Sequence, residues 1–148
     1  VDLGRDMVRT MIEEEGVGLA APQVAESLRL FSYWVPESDT RPEIPPTVLA
    51  NPEIRAVGDE MEDGWEGCLS IPGLRGVVPR YRRIKIKGRN LDGEPASLTA
   101  DGFHARVIQH EYDHLDGVVF LDRMENTLSL AFEPEWERFV LAVEPEES

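Results

Sequence analysis

His110-Glu111-Tyr112-Asp113-His114 constrains this chain more than any other stretch, because two imidazoles so close together serve one cation only from a helix. Residues i and i+4 share a helix face with Cβ atoms roughly 5–6 Å apart, close enough to grip a single ion. Glu111 lies one step round the same helix, within reach of a water on that ion. Phe103, Val107, His110 and His114 follow spacings of four, three and four, so they form one stripe. An apolar wall therefore lies beside the metal, as a site needs if it holds a hydrophobic side chain next to the bond being cut. The same pattern suits Phe103 and Val107 as plain core equally well.

Composition narrows the field by exclusion. A chain of 148 residues with 41% hydrophobic and 30% charged residues is expected to be one soluble globular domain spanning 1–148. Its net charge of −14, with no basic run, argues against nucleic-acid binding and reads as a solvated acidic surface. No apolar run approaches the roughly 20 residues that span a bilayer, so no membrane association is expected. One cysteine, Cys68, excludes an internal disulfide framework. With no export signal, the cytoplasm is the expected compartment.

Residues 2–15 have helical spacing at Leu3, Met7 and Met11, with Asp2 as N-cap and Gly16 as stop. Residues 16–23 are too rich in small residues for a regular element and suit an extended segment that another backbone approaches. Strands are expected over 28–35 and 47–58, separated by a Pro-rich loop from Pro36 to Pro46. A half-buried strand is expected over 81–87, with a turn at 90–93 leading into 95–100. Asp101 is expected to cap the helix that ends near Leu115 before Asp116-Gly117, and a last helix runs from Glu135 to about Val143. Strands clustered between helices without βαβ alternation indicate an α+β fold.

The third ligand decides which chemistry the histidines serve. A peptidase of the zincin type recruits a downstream Glu or His. No histidine follows His114, whereas Glu125, Glu133, Glu135 and Glu137 are available and look surface-like. Upstream, Cys68 sits in the Gly-flanked segment Glu66-Gly67-Cys68-Leu69-Ser70. A lone Cys is more often a small buried hydrophobe, so both alternatives stand on the residues alone. His104, about 120° from His110 round the helix, is expected at the surface or pocket rim and not as a ligand.

Three ordered segments change the balance: Gly16-Val-Gly-Leu-Ala-Ala-Pro-Gln23, Glu66-Gly-Cys-Leu-Ser70 and Gln109-His-Glu-Tyr-Asp-His-Leu-Asp-Gly117. Together they resemble the motifs of peptide deformylases, from the first helix to at least Asp122. The resemblance implies antiparallel β-sheets packed around a central metal-binding helix, with N-terminal and C-terminal helices. It implies Cys68, His110 and His114 as metal ligands, with water in the fourth position. Metal-bound hydroxide would attack the formyl carbon of an N-terminal formyl-methionine, releasing formate, with Glu111 as general base and then acid. Gln23 and the Leu69 backbone N–H would stabilise the oxyanion. Gly18 would let substrate backbone lie close, and Val17, Phe103 and Val107 would form the methionine pocket. Glu66 and Arg80 are a candidate ion pair bracing the cysteine segment.

The family's ion is one divalent metal, Fe(II) physiologically, with Zn, Ni or Co found in its place. Its substrates are formyl-methionyl nascent chains in the bacterial cytoplasm or an organelle, which brings transient proximity to the ribosome. Direct RNA docking through the tail is not expected, since residues 131–148 hold six Glu against Arg138 alone. Relatives usually carry a further segment before the first helix, so a shortened N-terminus is expected. The alternatives are a zincin-type metallopeptidase and a non-catalytic deformylase-like binding protein.

Overall fold

The computed structural model describes residues 2–141. Helix α1 (Asp2–Glu13) buries Met7 and Met11 on one face and packs Leu3 and Val8 beside them. It stops earlier than Gly16, because Glu15 takes the left-handed turn itself (φ 58°) and the Gly16 N–H closes back on the Met11 carbonyl at 2.9 Å.

β1 (Gly18–Ala20) is the short extended piece within the small-residue segment, followed by a 3₁₀ turn over Ala21–Val24. β2 (Leu30–Val35) and β3 (Ile44–Ala56) follow; β3 starts three residues before the expected strand, inside the Pro-rich stretch. Pro52 is accommodated because the ladder breaks between Ala50 and Glu53, with Asn51 at φ 50°. β4 (Met61–Cys68) and β5 (Ile71–Tyr81) form a long hairpin closed by Leu69-Ser70. Sequence periodicity did not reveal this hairpin, since Gly64, Gly67, Gly73 and Gly76 interrupt any alternation. Tyr81 ends β5, and β6 (Arg83–Arg89) begins only after Arg82. β6 then turns into β7 (Pro95–Asp101) as expected.

β1, β2, β3, β6 and β7 form a five-stranded antiparallel sheet in that order, leaving β1 at one edge. β4, β5 and the two-residue β8 (Ala131–Phe132) form a second sheet. Helix α2 (Gly102–Leu115) lies between the two sheets and buries nine of its residues, from Ala105 to His114. Ala105 and Ile108 pack into the core with Phe31, Tyr33, Leu49, Ile84 and Ile86 of the larger sheet. Asp101 occupies the N-cap position, but its carboxylate accepts from Arg83 Nε at 2.5 Å and makes no side-chain cap. After α3 (Phe120–Arg123), the C-terminal element starts at Glu133 as α4 (Glu133–Trp136) and continues as a π-helical turn over Glu137–Leu141. Val143, the expected end of this helix, lies outside the described residues. The fold is α+β around a central helix, as the chain's motifs imply, and no described helix is long and apolar enough to cross a membrane.

Candidate metal centre

The hairpin delivers Cys68 at the last position of β4, directly before its turn, while α2 delivers His110 and His114 from successive turns. His114 Nε2 lies 3.4 Å from Cys68 Sγ and 3.3 Å from His110 Nε2. All three donor atoms fall within 4.8 Å of one another, the one such cluster among the described residues. Ligand bonds of about 2.0–2.3 Å at tetrahedral angles put neighbouring donors roughly 3.3–3.6 Å apart, so the two shortest separations fit a single ion. The downstream glutamates do not join this cluster. Glu133, expected at the surface, lines the pocket but pairs with Arg75 at 3.1 Å.

Glu111 is 4% exposed, and its Oε1 has no hydrogen-bond partner. Burial pushes its carboxyl up to about 7. Oε2 lies 3.9 Å from His110 Nε2. A Cβ at Gly18 would overlap this carboxylate, so the close approach that needs glycine there is made by Glu111. Gln23 Oε1 accepts from the Ala20 N–H at 2.8 Å, which turns its Nε2 toward Ser70 Oγ at 2.9 Å and Cys68 Sγ at 3.7 Å. Leu69, the next residue after Cys68, is half exposed in the hairpin turn.

Gln23, Cys68, His110 and Glu111, though not His114, line a pocket of about 530 Å³ whose lining also includes Val17, Gly18, Leu69, Phe103 and Val107. Val107 belongs to the core and the pocket at once, and Phe103 packs against that core from the pocket side. His104 is half-buried and does not line the pocket; its Nε2 sits 3.1 Å from the buried Tyr33 hydroxyl, away from the donor cluster.

Behind the donors lies an ion network that the motifs only hinted at. Glu66 and Arg80 are 6% and 4% exposed, so theirs is a buried pair and not a surface one. Glu66 Oε1 accepts from Arg80 Nη2 at 3.0 Å and faces His110 Nδ1 at 2.8 Å. Its Oε2 accepts from Arg80 Nε at 3.0 Å and Arg106 Nη1 at 2.6 Å. A proton held on Nδ1 leaves the His110 Nε2 lone pair facing Cys68 and His114. Asp113 accepts from Arg80 and, through both oxygens, from Arg123. Arg106, His110 and Asp113 are spaced i, i+4, i+7, so one polar stripe of α2 faces the hairpin. That spacing was legible in the sequence, but its three unlike side chains carry no known motif. Arg75 and Trp136 were likewise missed; the guanidinium lies 4.9 Å from the Trp136 ring centroid, which packs edge-on against Trp65.

Burial pushes the Glu66 carboxyl up, but the bonds from His110 and Arg80 outweigh it and bring it down from 4.5 to about 2. At Glu66 the folded metal-free protein therefore binds fewer protons than the unfolded chain between these values, so this residue's contribution to stability rises with pH. Glu66 is expected to contribute fully above about pH 4.5 and to lose its contribution as pH falls toward about 2. Urea midpoints of metal-free wild type and Glu66→Gln check this: their separation should shrink on acidification, and a constant separation would refute it.

An α+β frame that gathers a thiol and two imidazoles beside a buried carboxylate, next to an open pocket, defines a metal-dependent hydrolase. The family model for polypeptide deformylase matches residues 1–129. Peptide deformylase 1 of Xanthomonas campestris is 53% identical over 131 residues, covering 86% of this chain and 77% of that protein. A crystal structure of a class I type b peptide deformylase from Acinetobacter baumannii superposes with a TM-score of 0.79 at 41% identity, covering 83% and 80% of the two chains. Another from that organism, bound to Met-Ala-Ser, gives 0.74 at 43% identity over 80% and 76%. The chain belongs to the polypeptide deformylase family, metal-dependent hydrolases that remove the N-terminal formyl group from newly made polypeptides.

Proposed function

We propose that this chain deformylates N-terminal formyl-methionine through the centre formed by Cys68, His110, His114 and Glu111. The observation that carries the reading is the convergence of the three donor atoms beside the buried Glu111 carboxylate, whose Oε2 lies 3.9 Å from His110 Nε2. Cys68, His110 and His114 would hold a divalent ion, which supplies Lewis acidity and makes water nucleophilic near neutral pH. The remaining chemistry belongs to the chain. Glu111 accepts the attacking water's proton and returns it to the leaving amine as the formyl C–N bond breaks. Gln23 Nε2 and the Leu69 N–H donate to the oxyanion. Val17, Phe103 and Val107 receive the methionine side chain, while β1, an edge strand, offers its outer side to the peptide backbone beside Gly18. The relative that binds Met-Ala-Ser, a deformylated product in form, supports a peptide lying along this groove.

Formate release from formyl-Met-Ala-Ser, beside the unformylated peptide, tests the reading. Formate from the first alone is expected; casein cleavage without formate release would point to a zincin-type peptidase. Gln23→Ala should lower kcat by about 10²–10³ with little loss of metal. Steady-state rates with metal analysis decide it, and a change below threefold would remove Gln23 from the oxyanion role.

A thiolate in the ligand set suits Fe(II) as well as Zn(II), and we assign Fe(II) as the working ion in a bacterial cytoplasm. Iron and Cys68 can both be oxidised, so the iron form should lose activity in air and the nickel form should keep it. Equal half-lives of the two forms would contradict this assignment.

A further inference from the structure

Arg106 precedes His110 by one helical turn, and both side chains end on Glu66. Unlike Arg80, Arg106 also grips the hairpin backbone. Its Nη1 donates to the Val78 carbonyl at 2.8 Å and its Nη2 to the Glu62 carbonyl at 2.7 Å. These acceptors lie on opposite strands: Val78 is the residue paired with Gly64, and Glu62 lies two residues before Gly64 on the same strand. The guanidinium fills the space that a side chain at position 64 would need. A Cβ there would sit 2.7 Å from Arg106 Cζ and 2.8 Å from Nε. β4 ends four residues later in Cys68, whereas α2 carries both imidazoles. One planar fork, 8% exposed, thus ties together the two elements whose separation sets the Sγ-to-imidazole distances.

We infer that Arg106, seated in the gap left by Gly64, is a positioning residue that sets the spacing between the Cys68 thiol and the imidazoles of His110 and His114. Metal affinity and ligand geometry then depend on two residues that are not ligands. The inference rests on the ligand set proposed above, and cobalt(II) separates the two claims.

Cobalt-loaded wild type should show a thiolate-to-cobalt absorption band, which Cys68→Ala removes. Gly64→Ala and Arg106→Met should each weaken that band and lower cobalt affinity by about 10–100-fold, measured by chelator competition. Gly64→Ala is the sharper variant. It keeps every charge, and the clash falls on the movable end of a flexible side chain, so the fold survives while the guanidinium is displaced. Arg106→Lys should restore charge and part of the thermal stability without restoring the band, because an ammonium lacks the fork that spans both strands. A folded Gly64→Ala protein with wild-type spectrum and affinity would overturn the inference. Absence of the thiolate band from wild type would instead overturn the ligand set and the inference with it.

Discussion

Glu111→Gln is expected to keep its metal and lose turnover, with kcat falling by about 10²–10⁴. The amide is nearly isosteric, so the buried space beside Gly18 stays filled, but it cannot accept the proton of the attacking water. Two features concentrate the effect at this residue. Its Oε1 has no partner to satisfy it, and burial in the metal-free protein raises the carboxyl pKa, which makes it a stronger base than an exposed carboxylate. Metal content by mass spectrometry beside formate release separates the outcomes. Turnover within tenfold of wild type in a metal-replete variant would mean that another group is the base.

Arg80→Ala is expected to destabilise the protein by about 3–5 kcal/mol and to loosen metal retention. Its guanidinium is the only cation that bridges Glu66 to Asp113 among the described residues, and removing it leaves two buried carboxylates facing fewer donors. Asp113 keeps Arg123, which is half exposed, and Glu66 keeps Arg106. The loss should therefore fall on the cysteine hairpin and its seat against α2, not on the five-stranded sheet. Urea unfolding and metal content after dialysis measure the two effects. Unchanged stability together with unchanged retention would deny Arg80 its bracing role.

The parts of the site that could be read beforehand share a property: each is specified over a few adjacent residues. The His110–His114 pair needs only a helical repeat, and the turn at 90–93 needs only Asn-Leu-Asp-Gly. Even the choice of Cys68 over a downstream Glu rested on short motifs taken in order. Where local signals competed, they misled. Asp101 has the chemistry of a cap, yet its carboxylate is drawn to Arg83 across the sheet edge. Glu15, and not Gly16, takes the left-handed turn because the closing bond runs from Gly16 to Met11. His104, half-buried, finds in Tyr33, 71 residues away, a partner that no local pattern announces.

The letters alone determined the candidate donor types, the helix that presents two of them, the α+β class and the family-like order of the motifs, because short-range spacing encodes all of these. Only the tertiary structure decided what surrounds them: that Glu66 and Arg80 are buried, that Arg106 and Asp113 complete their network, and that Glu111 fills the space left by Gly18. Those facts depend on hairpin and helix meeting face to face. A contact between segments some 40 residues apart leaves no periodic trace in either one.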